Sequence, residues 1–231
     1  MAAKRKAATR KTAAARPSRA KRRGAQAAPA AEASSARERI LHAALEVFAE
    51  QGFDGARTRD IAKRAGANLG LIPYYFGGKL PLWRAAVGHA FRELLAELGE
   101  IAAPASAPAD ERVRLAQLLR RFVRFVAKRP EFMRLMNDEA KRDSPRMRWL
   151  ADQYVKPLTA ELRRHIERAQ AGGVLPRVSA VSLHYIAVGA AGLVFSQAPE
   201  CARVHGVDPT SEAFANAHAD ALVELLIGPG V

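Results

Sequence analysis

The segment at residues 58–79, TRDIAKRAGANLGLIPYYFGGK, most constrains how this chain can fold. Ile61, Ala62 and Ala65 recur at the spacing of one helix face, and a glycine follows them. A small residue where two helices cross, and Gly66 where the chain must turn with a positive φ, are what a tight inter-helix turn requires. The segment therefore predicts a helix-turn-helix, with a DNA-binding unit and a generic helical hairpin as the two interpretations.

The surrounding sequence favours the DNA-binding interpretation. Residues 35–83 contain ILHAALEVFAEQGFDG, then RDIAKRAG, then YYFGGK. In this order the three signatures resemble the N-terminal DNA-binding domain of TetR/AcrR-type transcriptional repressors. The resemblance implies a homodimeric repressor that binds a palindromic operator in double-stranded DNA and is released from it by a small ligand. The apolar candidate pocket residues given below predict that this ligand is hydrophobic, and no cofactor is expected.

The same resemblance, with the charges beside the motif, indicates which residues contact DNA. A recognition helix is expected at residues 68–75 with Asn68 as its N-cap, and Thr58 is expected to cap the helix before it. Pro73 predicts a short, distorted recognition helix, because an interior proline costs about 3 kcal/mol. The predicted DNA contacts are Arg57, Thr58, Arg59, Asn68, Leu69, Gly70, Leu71, Tyr74, Tyr75 and Lys79.

The N-terminal arm, residues 1–34, is strongly basic. It holds ten Lys and Arg side chains against one acid, Glu32, and so contributes +9 of the net charge of +14. Without large apolar side chains after Met1 it is predicted to be disordered in isolation. It can bind phosphates beside a DNA-reading domain or serve as a solubilising tail. An architectural, weakly specific DNA-binding protein is therefore the alternative function.

Several classes of protein are disfavoured by the sequence. No apolar run approaches the length of a membrane helix, and the basic N-terminus lacks the apolar core of a secretory signal. Cys201 is the single cysteine, which excludes an internal disulfide and a cysteine-rich metal site. No spacing of His or Asp predicts a metal site, and no nucleophile, base and orienting group can be assembled into an enzyme. A cytoplasmic regulator, associated with the nucleoid when bound to DNA, is expected.

An all-α fold is predicted for the whole chain. The DNA-binding domain is expected at residues 35–80, with its first helix beginning near Ala36 at a capping box. Residues 81–231 are expected to form a helical ligand-binding and dimerisation domain. It opens with one long helix that runs to about residue 100, and a Pro/Ala/Ser linker at residues 103–110 follows. Its later helices are predicted at residues 110–128, 130–142, 145–171, 179–197 and 209–227.

A ligand pocket is predicted where Pro157 kinks the third of these helices. Aromatic and Met side chains at helical spacing could line it, although such residues are more often core. The candidate lining residues are Phe122, Phe125, Met133, Met136, Trp149, Tyr154 and Leu158, with Asn137 and His184 as candidate polar anchors. A core or interface histidine is the alternative for His184.

The last two helices are predicted to form the dimer surface. The run at residues 183–195 is rich in Gly and Ala, which lets a partner helix approach closely. The matching stripe on the final helix is Phe214, Ala217, Ala221, Leu222 and Leu225. By resemblance these helices pair with the same two of a second subunit, and a buried intramolecular pair is the alternative.

Overall fold

The computed structural model describes the backbone of residues 19–99 and 108–228, and the side chains of residues 35–99 and 111–228. The all-α prediction is confirmed, since the described residues contain no strand. The helices are α1 (Arg19–Gly55), α2 (Thr58–Arg64), α3 (Leu71–Phe76), α4 (Lys79–Leu98), α5 (Pro108–Lys128), α6 (Pro130–Glu139), α7 (Pro145–Leu150), α8 (Lys156–Ala171), α9 (Ala180–Ser196), α10 (Ala198–His205) and α11 (Glu212–Leu226).

The first helix differs from its prediction at the N-terminal end. It begins at Arg19 rather than near Ala36, so it includes the last part of the basic arm. Alanine is the best helix former, and this Ala-rich stretch carries the helix past the predicted capping box. Residues 1–18 of the arm lie outside the described residues. At the other end Gly52 adopts φ 67° and ψ 170°, a positive φ that interrupts the helix.

The chain divides into two units, Met1–Glu38 and Arg39–Val231. The larger unit contains α2 to α11, and thus most of the predicted DNA-binding domain and the predicted regulatory domain together. No single helix of residues 19–99 and 108–228 has the length and apolarity needed to cross a membrane. Helices α9 and α10 have that length and apolarity only when taken together, and they are bent by 74° relative to each other.

The helix-turn-helix packs against one face of α1. Ile40, Leu41 and Phe48 on one face of α1 are at most 2% exposed. Ile61 of α2 and Ile72 of α3 are equally buried in the same hydrophobic core. Because burying a large apolar side chain contributes roughly 1.5–3 kcal/mol, this cluster fixes α2 and α3 on α1.

Helix α4 joins the helix-turn-helix to the rest of the larger unit. Trp83, fully buried in its first turns, makes an edge contact with Phe53 at 6.4 Å and a tilted contact with Trp149 at 5.6 Å between ring centroids. About two turns further along α4, Phe91 stacks on Tyr154 with ring centroids 4.5 Å apart. Helix α4 therefore packs against both α1 and α7 through Trp83, and against the residues that follow α7 through Phe91.

The predicted helix at residues 145–171 is divided by a wide turn. After α7, Ala151–Val155 form a π-helical turn that leads into α8, with Pro157 at the start of α8. Proline cannot donate a backbone hydrogen bond, and the π turn places it where a first-turn proline is tolerated. Thr159 Oγ1 donates to the Val155 carbonyl at 2.8 Å, one turn back along the helix.

The helix starts were predicted with mixed success. Ser144 caps α7 by accepting a hydrogen bond from Met147 N at 3.0 Å, as its place before Pro145 indicates. The start at residue 209 was wrong: Asp208 forms a turn with Thr210, and α11 begins at Glu212 with Ser211 as its cap. Both turns use a side-chain oxygen to satisfy the next backbone donors, so the sequence alone does not distinguish them. Helix α10 was not predicted.

Candidate DNA surface, cavity and dimer face

The turn between α2 and α3 is a complete Schellman motif. Gly66 has φ 57°, its amide donates to Lys63 O at 3.2 Å, and Ala67 N donates to Ala62 O at 3.0 Å. From α1, Arg39 Nε donates to the Ala65 carbonyl at 3.2 Å. This contact was not predicted, because it joins residues far apart in the chain. The end of α2 is thereby satisfied, and the direction of the following chain is fixed.

The recognition helix is shorter than its prediction. Helix α3 comprises Leu71–Phe76, and Asn68 lies one turn before it. The Asn68 side chain accepts from Gly70 N at 2.8 Å and its carbonyl accepts from Leu71 N at 3.0 Å, so it forms the entry turn rather than the predicted N-cap. Pro73 falls in the first helical turn, where no intrahelical donor is lost. The predicted distortion is therefore absent from α3.

The N-terminus of α2 also differs from expectation. Thr58 is the first helical residue, while Arg57 is the N-cap with an extended backbone and no side-chain hydrogen bond. Arginine has no side-chain acceptor for the orphan amides of a helix start. The amides at this end of α2 are therefore not satisfied by a side chain at the N-cap.

The predicted DNA-contacting residues lie in two short segments around this turn. Tyr74 is 79% exposed and Leu69 49% exposed, although both belong to a small, well-packed motif. Arg57, Arg59, Asn68 and Gly70 are also exposed, while Thr58, Leu71, Tyr75 and Lys79 are half-buried. An exposed tyrosine and leucine beside arginines form a surface that can contact both phosphates and base edges.

Lys79 opens α4 and is held in place. Its ammonium group donates to the Asp54 carbonyl at 3.1 Å and lies 4.8 Å from the centre of the Phe53 ring. On the same ring, the Arg146 guanidinium lies 4.1 Å from the centroid. Phe53 is thus contacted by cations from α4 and from α7, which fixes the C-terminal end of α1 relative to both helices.

An apolar cavity of about 160 Å³ lies among α4, α5, α8, α9 and α11. Of the predicted lining residues, Phe122, Leu158 and His184 line this cavity. Its other walls are mainly leucines, which the sequence did not distinguish from ordinary core residues. They include Leu94, Leu98, Leu115, Leu118, Leu119, Leu162, Leu175, Leu183 and Leu226.

A second, more polar cavity of about 430 Å³ adjoins the first. The two share Thr159, Leu162, Ile166 and His184, and the outer one also has Lys156, Arg163 and Tyr185 in its walls. His184 Nδ1 is buried and has no hydrogen-bond partner among the described residues. Burial lowers the pKa of His184, so its imidazole is neutral near pH 7. A neutral, unpaired imidazole lies where the apolar and polar spaces meet.

The other predicted pocket residues lie away from this cavity. Phe125 packs edge-on against Phe132 at 5.3 Å, and Met133 is buried where α6 closely approaches Gly192 of α9. Trp149 and Tyr154 pack on the rings of α4. Met136 is half-buried and Asn137 is exposed. Which faces of neighbouring helices meet depends on tertiary packing, which residue spacing within one helix does not determine.

An apolar face remains exposed on α9 and α11. Tyr185 is 71% exposed, Ile186 51%, Leu193 53% and Leu225 79%. Ala217 and Ala221 are exposed between them, while the predicted interface residues Leu222 and Phe214 pack inward. The two helices are joined by His218 Nε2, which donates to the Ala190 carbonyl at 2.9 Å. Several large apolar side chains exposed on two helices that pack together indicate an interaction surface.

A cluster of possible metal ligands, which the sequence analysis did not predict, joins α1 to α4. The Nε2 atoms of His42 and His89 are 3.3 Å apart, and both lie within 3.7 Å of the Glu93 carboxylate. The spacing of His89 and Glu93, four residues apart on one helix, was the available signal. His42 comes from another helix, so no local spacing could add it.

Family models match most of the chain. The model of bacterial regulatory proteins of the tetR family matches residues 40–86, and that of the tetracyclin repressor-like C-terminal domain matches residues 112–226. The HTH-type transcriptional repressor NicS of Pseudomonas putida is 31% identical over 156 residues, which cover 63% of this chain and 68% of NicS.

Two further comparisons are more limited. The HTH-type transcriptional regulator SrpR of Pseudomonas putida is 45% identical over 58 residues. These residues are 25% of this chain and 27% of SrpR. The crystal structure of AibR in complex with isovaleryl coenzyme A and operator DNA superposes with a TM-score of 0.66 at 16% identity, over 84% of this chain and 100% of AibR. At that identity the similarity concerns the fold.

Proposed function

This chain belongs to the TetR family of bacterial regulatory proteins, and from that membership we propose that it is a dimeric transcriptional repressor released from its operator by a small ligand. The observation that carries the proposal is the exposed face of the α2–α3 motif. Tyr74 and Leu69 are exposed there although the motif behind them is fully packed. An aromatic side chain that stays exposed to water on a helix-turn-helix provides a surface suited to binding DNA.

In this proposal α3 enters the major groove. Leu69 and the Gly70 backbone approach base edges, with Leu69 suited to a thymine methyl group. Tyr74 donates its hydroxyl to phosphate, and Arg57 and Arg59 at the start of α2 pair with the flanking backbone. Since few of these side chains have a strong base preference, specificity also depends on the shape of the DNA.

Binding to DNA tests this proposal. We would measure affinity for the DNA upstream of the coding sequence and for scrambled DNA across a salt series, with the full chain and with a chain that begins at Ser34. Both chains are expected to prefer the upstream DNA, and removal of the basic arm is expected to lower affinity and the salt dependence together. Equal affinity for both DNAs at every salt concentration would contradict the repressor and favour the architectural protein.

Single substitutions test the proposed contacts. Arg57→Gln should reduce the log–log salt slope by about 0.9, because one phosphate contact is lost. The matched control is Arg203→Gln, an equal change of charge at an exposed position of α10, and it should leave the slope unchanged. Tyr74→Phe should weaken operator binding about 2- to 12-fold, the equivalent of one hydrogen bond of 0.5–1.5 kcal/mol. Equal effects of Arg57→Gln and Arg203→Gln would argue against a contact at Arg57.

The proposed ligand is amphipathic and small. The inner cavity of about 160 Å³ is close to a cavity of about 150 Å³ that accommodates benzene, so it suits one ring or a short branched chain. The outer cavity, with Lys156 and Arg163 in its walls, suits a polar or anionic end. His184 lies in both, and its unpaired Nδ1 can bond the atom that joins the two ends.

A series of straight and branched carboxylic acids serves as the probe for this site. Thermal stabilisation and release of bound upstream DNA should both be strongest for short branched chains and should fall when the chain exceeds the inner cavity. His184→Leu should weaken binding, whereas His205→Leu on α10 should not. If no acid binds, or if His184→Leu binds all of them equally well, this assignment of the ligand class is wrong, while the proposed DNA binding is unaffected.

Release is proposed to act through α4. This helix supplies Leu94 and Leu98 to the inner cavity and Lys79 and Trp83 to the contacts with Phe53. A ligand that prefers a displaced α4 would favour a conformation in which two recognition helices no longer match sites about 34 Å apart on DNA.

A further inference from the structure

We propose that His42, His89 and Glu93 form a binding site for a divalent transition-metal ion, with Zn²⁺ as the best-suited ion. Two imidazoles and one carboxylate form a borderline ligand set that suits zinc and its neighbours rather than magnesium or calcium. The site would connect α1, which supports the helix-turn-helix, to α4. Nothing in the proposed DNA or ligand contacts uses these three residues.

The distances among the ligand atoms match one face of a tetrahedron. At zinc–ligand distances of about 2.0–2.1 Å, tetrahedral ligands are about 3.3–3.4 Å apart. His42 Nε2 lies 3.3 Å from His89 Nε2 and 3.7 Å from Glu93 Oε1, and His89 Nε2 lies 3.5 Å from the same oxygen. Three separations so close to this value need shifts of only a few tenths of an ångström, and a fourth position is left for water.

The surroundings favour a metal rather than an ordinary hydrogen bond alone. The Nε2 atoms are 3.3 Å apart and the ring planes are at 85°, so the nitrogens of both rings border one shared space. The side chains of His42, His89 and Glu93 are 31%, 19% and 29% exposed, which leaves an entry route for an ion. Arg129 Nη2 donates to Glu93 Oε1 at 3.0 Å and can remain as an outer partner, because a carboxylate oxygen has two lone pairs.

Occupation would tie α1 to α4. His42 belongs to α1, while His89 and Glu93 lie one turn apart on α4, the helix that also lines the inner cavity. A bound ion would therefore restrict the displacement of α4 that release requires. If the ion changes operator affinity by some factor, the operator changes affinity for the ion by the same factor.

The test uses the full chain without a purification tag, stripped of metal with a chelator. Cobalt(II) is titrated in while its visible absorption is followed, since tetrahedral cobalt absorbs far more strongly than octahedral cobalt. We expect saturation at one ion per chain, the strong tetrahedral bands, and their loss when Zn²⁺ displaces the cobalt. No saturable binding, or weak octahedral bands alone, would overturn the proposal.

Variants then locate the site. His42→Gln and His89→Gln should each weaken binding about 100-fold or more, because even outer-shell changes cost 10- to 100-fold. His205→Gln on α10 removes a histidine elsewhere and should bind normally. Arg129→Gln removes only an outer partner of Glu93 and should weaken binding about tenfold, which separates loss of the Glu93 ion pair from loss of a ligand. Normal cobalt binding by both His42→Gln and His89→Gln would overturn the site.

A thermal shift with Zn²⁺ covers the case of a variant that folds poorly. Zinc should raise the unfolding temperature of the unchanged chain and of His205→Gln, and should leave His42→Gln unshifted whatever its starting stability. Equal shifts in all three would place the ion elsewhere and reject the proposal.

Discussion

Gly66 sets the angle at which the recognition helix leaves α2. Its φ of 57° is in the left-handed region, and an added Cβ would meet no atom within 4 Å. Any cost of a side chain there comes from the backbone and not from a clash, which makes the position a clean test of the turn.

Gly66→Ala should therefore lower the free energy of unfolding by about 1–2 kcal/mol, the strain of one alanine in the left-handed region. Chemical denaturation measures this change. Gly55→Ala is the control, because its Cβ would make an ordinary 3.6 Å contact and its φ is not positive. That variant should stay within about 0.5 kcal/mol of the unchanged chain. Equal losses would show that the turn tolerates other conformations.

His184 gives the fold a measurable pH dependence. Burial lowers the pKa of this imidazole in the folded chain, while in the unfolded chain it titrates near its ordinary value of about 6.5. As the pH falls through about 6.5, the unfolded chain binds a proton that the folded chain resists, so stability present above that pH is progressively lost.

Replacing His184 should reduce this dependence. Between about pH 7.5 and pH 5.5, His184→Gln should lose less unfolding free energy than the unchanged chain, because the proton uptake by the unfolded state has been removed. His205→Gln, at an exposed site, should decline like the unchanged chain. Denaturant midpoints at the two pH values give the comparison, and identical declines in all three chains would contradict the lowered pKa.

At the scale of elements, α7 is coupled to the C-terminal end of α1 through one aromatic ring. Arg146, 4.1 Å from the Phe53 centroid, also donates to Glu139 at 2.9 Å, so its guanidinium is held over the ring. Arg148, on the same helix, pairs with Asp143 at 2.8 Å instead.

A double-mutant cycle of Phe53→Leu with Arg146→Gln should therefore give a coupling energy of about 0.5–1 kcal/mol, typical of a cation over an aromatic face. Phe53→Leu with Arg148→Gln should be additive. Unfolding free energies of the single and double variants supply both values. Additivity in the first cycle would mean that the ring and the guanidinium do not stabilise each other.

The elements were predictable to the extent that their signals are local. Gly66 and the apolar spacing before it specify the turn, and Ser144 before Pro145 specifies a helix start, because both act on neighbouring backbone groups. The shape of the cavity was not predictable: Phe125 and Phe122 are three residues apart, yet only Phe122 lines it. His42 and His89 likewise meet only because α1 packs on α4.

At the scale of the whole molecule, the exposed face of α9 and α11 is the proposed homodimer interface. Ile186 and Leu193 on α9 and Leu225 on α11 are each more than half exposed. A homodimer that buries this face against its symmetric copy would remove those side chains from water and pair the two DNA-binding units.

Ile186→Lys should thus yield a monomer with much weaker operator binding, because a charge is placed in the apolar contact of both copies. Val204→Lys is the matched control, since Val204 on α10 is 62% exposed but lies on another helix. Light scattering coupled to size-exclusion chromatography gives the masses. A dimeric Ile186→Lys protein would exclude this face as the interface.

Helix α4 begins at Lys79, only two glycines after the recognition helix, and its first turns are already part of the shared core. There is consequently no linker at which one regulator's DNA specificity could be exchanged for another's. A hybrid repressor joined at Gly78 would set a foreign helix-turn-helix against Trp83 without the matching Phe53 contact. Engineers who recombine such proteins should place the junction within α4, beyond Trp83, so that Phe53 and Trp83 come from the same protein.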